Sequence, residues 1–285
     1  MAALAAAMAL AACARGDRIV VGSKNFTEQD ILGEILAQQI ERRTSLAVDR
    51  RFHLGGTFVC DQALRAGQID AYVEYTGTAL VAILKQPPTA DPDSALARVR
   101  AAYARDAAAE WLAPLGFNNT FAMVIRRGDA ERLGVHTLSE AARAQAWRGG
   151  FGFEFAERAD GFPGLSRAYG LRLAGPPHVM DLGLLYRALA DSQVDMVAGN
   201  STDGAIAALD LVALQDDRHY FPPYQAAPVV REATLRRHPE LRAALAELGG
   251  AISDSAMRRM NELVDVEHRD VAQVARDFLA SLPSR

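Results

Sequence analysis

Apolar residues in this chain follow two alternating rhythms. Short unbroken runs, at Ile19-Val20-Val21, Leu46 to Phe52 and Ile69 to Val73, are separated by stretches where apolar positions recur every three or four residues, as in Ile31, Leu32, Ile35, Leu36 and Ile40. The first rhythm is that of a buried strand, the second that of one buried helix face. Asn25 or Thr27 is placed to cap the first helix, Thr57 to cap a second through Leu64, and a third is expected from Thr76 to Leu84. Pro87-Pro88 interrupts the pattern before a long Ala-rich helix from Asp93 to Trp111. The alternation restarts at Phe121 to Ile125. It continues through an extended Phe151 to Phe155, a helix from Met180 to Asp191, strands at Asp195 to Ala198 and Pro228 to Val230, and three closing helices. Alternating strands and helices predict an α/β fold with mostly parallel sheets.

The pattern also repeats internally. Ala63-Leu64-Arg65-Ala66-Gly67-Gln68-Ile69-Asp70-Ala71-Tyr72-Val73 is echoed by Ala188-Leu189-Ala190-Asp191-Ser192-Gln193-Val194-Asp195-Met196-Val197-Ala198 at one constant offset, which also relates Tyr75 to Asn200. Each copy is a helix end, a turn and a strand running into a hydroxyl- and Gly-rich turn. One such pair is no solenoid period. It predicts two similar lobes that present strand ends to a shared cleft, where ligands of open α/β sheets bind. The chain should leave the first lobe near Asn119 and return near His219. The expected lobes are therefore 18–118 with 219–285, and 119–218.

Composition narrows the function classes. Half of the 285 residues are apolar, enough for one or two substantial cores, and a net charge of −4 gives no basic footprint for nucleic acid. No apolar run reaches the ~20 residues that span a bilayer. Residues 1–17 read as a signal peptide and tether: Met1 to Ala12 is almost wholly Ala, Leu and Met, and ends in Leu10-Ala11-Ala12-Cys13. Small residues before a cysteine resemble a bacterial lipobox, although the usual charged n-region is missing. Cys13 is the expected lipidation site, giving a membrane anchor on the periplasmic or outer face of the cytoplasmic membrane. Cys60 then has no disulfide partner and is expected as a buried, unreactive thiol.

Enzyme motifs are mostly lacking. There is no GxxxxGK[ST] and no GxSxG, and Phe155 stands where a dinucleotide fingerprint from Gly150 would need its third glycine. The six histidines show no metal-ligand spacing, and no pair of carboxylates stands out for acid/base work. No catalytic residue, metal or cofactor is expected. What remains is a set of cations and aromatic rings at loop positions. Lys24 and Arg158 each lie between a strand and a helix, Tyr75 and Thr78 follow the strand of the first repeat, and Tyr224 follows Pro222-Pro223. Basic donors beside aromatic faces suit a zwitterion with a carboxylate and a quaternary ammonium group.

Several segments carry a more specific resemblance: GSKNFTEQDILGEILAQQIE, LGGTFVCDQAL, GQIDAYVEYTGTAL, GFNNTFAM, EFAERADGFPGL, NSTDGAIAALDLVALQDD and YFPPYQAAPVV. In this order they resemble the substrate-binding proteins of osmoprotectant ABC importers, the glycine betaine/carnitine/choline-binding family. The resemblance implies a two-lobed periplasmic-binding-protein fold of type II-like organisation. It also implies delivery of a small quaternary ammonium ligand to a permease with ATPase subunits, by a monomer. Carried over by position, it places carboxylate ligands at Lys24 and Arg158, a hydroxyl contact at Thr78, and a cage around the ammonium group at Tyr75, Phe121, Asn200 and Tyr224. Phe121 and Asn200 depart from the family's tyrosines. Asn200 removes a wall and leaves open another betaine such as choline, carnitine or ergothioneine. An enzyme on the same fold would need reactive residues that the chain does not show, and a regulator's sensing half would need a helix-turn-helix at the N-terminus.

Overall fold

The computed structural model describes residues 18–283, so the expectations for the N-terminal segment and Cys13 lie outside the described residues. Among the described residues, ten strands form two five-stranded sheets. The first has the order β2-β1-β3-β10-β4, built from β1 (Arg18–Lys24), β2 (Ala47–Gly55), β3 (Ala71–Tyr75), β4 (Ala109–Trp111) and β10 (Ala226–Arg231). The second has the order β7-β6-β8-β5-β9, built from β5 (Phe121–Arg126), β6 (Gly149–Phe151), β7 (His178–Val179), β8 (Met196–Asn200) and β9 (Leu211–Ala213). In each sheet only the fourth strand, β10 or β5, runs antiparallel to its neighbours. The chain passes between sheets twice, from β4 to β5 and from β9 to β10, and each reversed strand is the one entered by a crossing.

The internal repeat has a structural counterpart in this arrangement. β3 and β8 hold the same third position in their sheets, each beside the reversed strand. Tyr75 ends one and Asn200 ends the other, with Ala226 and Phe121 as their register partners. The two strand ends therefore point their following turns into the gap between the sheets.

Helices pack on the sheets as the periodicity predicts. α1 (Thr27–Arg43) buries Ile31, Leu32, Ile35, Leu36 and Ile40 completely in the core of the first sheet. Burial of each such side chain contributes about 1.5–3 kcal/mol. Glu28 and Asp30 in its first turn, and Arg42 and Arg43 in its last, suit the helix dipole. Neither Asn25 nor Thr27 caps it by side chain; Phe26 holds the cap position. α2 (Thr57–Arg65) begins with Thr57 already inside the helix, after Gly56. The long Ala-rich helix, α3 (Pro92–Asp106), is capped by Asp91, and Ala109 to Trp111 leave it to become an edge strand. Phe151 ends β6, but Phe153 to Glu157 form a helical turn, α4, rather than an extended run. Among the later helices, α5 (Leu185–Ala190) packs on β8, while α6 (Asp254–Asp265) and α7 (Val271–Ser281) return to α1. Among the described residues, no helix is long and apolar enough to cross a membrane.

Candidate ligand-binding site

Lys24 is the last residue of β1 and is almost fully buried. Its Nζ lies 2.5 Å from Glu74 Oε1 and 3.2 Å from Thr57 Oγ1, and 5.0 Å from the centre of the Tyr75 ring. Glu74 is completely buried in β3; burial pushes its pKa up, and Lys24 pulls against that shift. A glutamate inside the otherwise apolar run Ala71-Tyr72-Val73-Glu74-Tyr75 must find a buried cation, and Lys24 is that partner.

Arg158 follows α4 on the second lobe and forms a fork on Asp160, with Nε–Oδ1 at 2.9 Å and Nη2–Oδ2 at 2.6 Å. Nη2 also reaches Thr78 Oγ1 at 3.3 Å, bonding the first lobe across the gap. The guanidinium lies 5.3 Å from the centre of the Phe121 ring. Burial opposes its charge, but the Asp160 hydrogen bonds and charge more than compensate, and the net pKa shift is upward. Tyr224 donates its hydroxyl to Asp160 Oδ2 at 2.9 Å, and its ring meets Phe121 edge-on at 5.7 Å.

The structure thus brings Lys24, Tyr75, Thr78, Phe121, Arg158 and Tyr224 to one junction between the sheets. Asn200 lies at its rim, opposite Phe121 in the β5–β8 pairing. The Asn200 N–H donates to Asp203 Oδ2 at 2.8 Å, and its side-chain amide approaches Asp203 at 3.4 Å. The repeat relates Asn200 to Tyr75, but the two side chains take different partners. The Tyr75 hydroxyl is turned away to Glu28 Oε1 at 2.6 Å, and its ring stacks on Phe26.

Several carboxylates at this junction are missed when the sequence is searched for acid/base pairs. Glu154 of α4 accepts a 2.6 Å hydrogen bond from the Thr57 N–H at the start of α2, on the other lobe. A Cβ at Gly56 would collide with that carboxylate, so a larger residue there would displace the Glu154 side chain. Glu28 accepts hydrogen bonds from Tyr75, Asn119, Thr202 and Asn261, which join both lobes, a crossing segment and α6. Burial raises its pKa while these four bonds oppose the shift. The usable sequence signal was Asp160 two residues beyond Arg158; Glu28 and Glu154 carry none.

Two adjoining cavities open between the lobes. One of about 640 Å³ is lined by Lys24, Thr57, Phe121, Glu154, Phe155 and Asn200. Asn200, with Asn25, Asp181, Leu182 and Ala198, also borders a second of about 650 Å³. Each is large enough for a small organic solute. Cys60 lies outside both; it is fully buried, and burial pushes its thiol up to about 12.

Residues 17–281 match the family model of the substrate-binding domain of ABC-type glycine betaine transport systems. The chain belongs to that family. Among similar proteins is the ergothioneine transport permease/ergothioneine binding protein EgtU of Helicobacter pylori, 37% identical over 93% of this chain. The chain spans about half of that relative's length, 47%. The carnitine transport binding protein OpuCC of Listeria monocytogenes is 34% identical over 92% of this chain and 86% of its own. The glycine-betaine-binding protein of Pseudomonas aeruginosa is 34% identical over 94% and 89%. A crystal structure of a glycine betaine/carnitine/choline ABC transporter superposes with a TM-score of 0.75 at 32% identity, covering 92% of this chain and 97% of that one. The two-lobed periplasmic-binding-protein fold is shared across the family's solved structures.

Proposed function

We propose that the protein is an extracytoplasmic, non-enzymatic solute receptor that captures a quaternary ammonium osmoprotectant, of the glycine betaine kind, for an ABC permease and its ATPases. The observation that carries this reading is the convergence of Lys24 and Arg158 from opposite lobes on one aromatic-lined junction, with Arg158 bonding Thr78 across it. We take the lobes as 18–118 with 219–285, and 119–218. We take Lys24, Tyr75, Thr78, Phe121, Arg158, Asn200 and Tyr224 as the walls of the ligand site. Ring faces desolvate and hold N-methylated cations better than strongly hydrated ammonium ions. Lobe closure over the solute would create the face presented to the permease. A lipid anchor at Cys13 would keep the receptor at the membrane as a monomer.

A second reading, another betaine or choline-like solute such as choline, carnitine or ergothioneine, is favoured by one observation. Asn200 borders both cavities, and either one, at about 640 or 650 Å³, exceeds what a small betaine fills. Titration calorimetry with glycine betaine, choline, carnitine and ergothioneine, set against glycine and ethanolamine, tests both. Saturable heats with the quaternary compounds and none with the primary amines support the reading. Binding of primary amines alone refutes it.

A further inference from the structure

The rings that wall the junction differ in what stands behind them. Tyr224 donates its hydroxyl to Asp160, but Arg158 forks both oxygens of that carboxylate, so its charge is already matched. Lys24, beside the Tyr75 ring, is matched in the same way by Glu74. Phe121 has no hydroxyl to donate. Tyr75 donates at 2.6 Å to Glu28, and the partners of that carboxylate, Tyr75, Asn119, Thr202 and Asn261, are all neutral.

Glu28 lies in the first turn of α1 and is fixed from four directions, by β3, the crossing segment, the turn after β8 and α6. Each of its two oxygens receives two donors. That fills the acceptor positions of a carboxylate and leaves none for a proton, the arrangement of the ionised form. The phenol of Tyr75 keeps its own proton, because burial first and then the Glu28 charge push its pKa well above the usual value. Both side chains are buried, so water does little to screen the pair. Hydrogen bonds in such surroundings polarise one another. A phenol that donates to a carboxylate with no cationic partner passes negative charge into its ring, and the ring face attracts a cation more strongly.

We propose that Glu28 is the positioning residue that gives the aromatic junction its preference for a cation: its hydrogen bond fixes the Tyr75 ring and makes it the most electron-rich wall of the site. The proposal rests on the quaternary ammonium reading and deepens it. Glu28 acts through Tyr75, and the ammonium head of the solute, held among the rings, supplies the positive charge that the four neutral donors do not. The selection is by charge rather than by outline. Two solutes of the same shape, one centred on a quaternary nitrogen and the other on carbon, are distinguished by this carboxylate.

Titration calorimetry of the full-length wild type, Glu28→Gln, Tyr75→Phe and the double variant tests the proposal, with thermal melts to establish folding. The ligands are choline and tert-butylethanol, in which carbon replaces the charged nitrogen; glycine betaine and tert-butylacetic acid form the same pair for a wild type that prefers carboxylated solutes. Glu28→Gln keeps the shape of the side chain and should weaken choline by about threefold to tenfold. It should leave the uncharged isostere at its wild-type affinity, a split that a purely structural role would not produce. Tyr75→Phe should weaken choline by a similar factor, and the double variant should be no weaker than the weaker single one, since both changes remove one bond. Undiminished choline affinity in Glu28→Gln, equal losses for both ligands, or a Glu28→Gln effect that persists in full on Tyr75→Phe would each overturn the proposal. Should Glu28→Gln fail to fold, Tyr75→Phe decides it by the same split between the ligands; should the isostere bind too weakly to titrate, the double variant decides it. A wild type that binds no quaternary ammonium compound overturns the underlying reading as well, which separates that failure from the failure of this role for Glu28.

Discussion

Glu154 and Thr57 belong to different lobes, yet the Glu154 carboxylate accepts the Thr57 N–H at 2.6 Å. The bond supplies a partner for one of the free N–H groups that begin α2, and places negative charge at the positive end of that helix. It therefore ties lobe closure to the satisfaction of a helix start.

Glu154→Ala should loosen the closed arrangement, since a hydrogen bond to a charged group contributes about 1.5–3 kcal/mol. Small-angle scattering of the variant without ligand should give a larger radius of gyration than wild type. An unchanged radius would mean that Glu154 does not hold the lobes together.

Lys24→Met should strand Glu74 as a lone carboxylate within β3. Breaking a buried pair by removing one partner typically costs about 3–5 kcal/mol. Urea unfolding at neutral pH should show that loss, and Glu74→Gln added to Lys24→Met should recover much of it. A single variant as stable as wild type would indicate that the Lys24–Glu74 pair contributes nothing net.

The alternation of strands and helices made the two α/β lobes legible, because burial in a parallel sheet imposes short apolar runs and packing on it imposes helical spacing. The repeat joining Tyr75 to Asn200 marked equivalent third strands for the same reason. Phe153 to Glu157 misled because a single helical turn is too short to show a period, and three phenylalanines in alternation imitate a strand. The basic and aromatic residues of the site stood out as exceptions, and the structure places Lys24, Tyr75 and Phe121 at strand ends and only Arg158 and Tyr224 in loops. Glu28 did not, since four neutral donors from segments far apart in the chain satisfy it, and only the folded chain brings them together.

Asp203 gives a pH signature. Burial pushes its pKa from 3.8 up to about 7, against the opposing hydrogen bond of Tyr186, with the Asn200 N–H also opposing and Glu28 adding to the rise. The folded state thus favours the protonated acid. The associated stability is present below about pH 4 and lost as pH rises through about 7. Asp203→Asn lacks this dependence, so its stability relative to wild type should improve between pH 4 and pH 8 in chemical denaturation. A constant difference across that range would show that Asp203 does not titrate differently in the two states.

Cys60 should resist thiol reagents in the folded protein, as its Sγ is buried and its thiol is pushed up to about 12 by that burial. In a Cys13→Ser background, labelling with a maleimide should be negligible until denaturant is added. Rapid labelling under native conditions would show that α2 opens readily from the first sheet.

The most direct test of the central claim is a crystal structure of the protein grown with choline or glycine betaine. The account predicts one solute molecule enclosed between the two sheets, its ammonium group within contact of residues from both lobes. A solute bound outside the junction of Lys24, Arg158 and Asn200, or lobes that close with that junction empty, would contradict it.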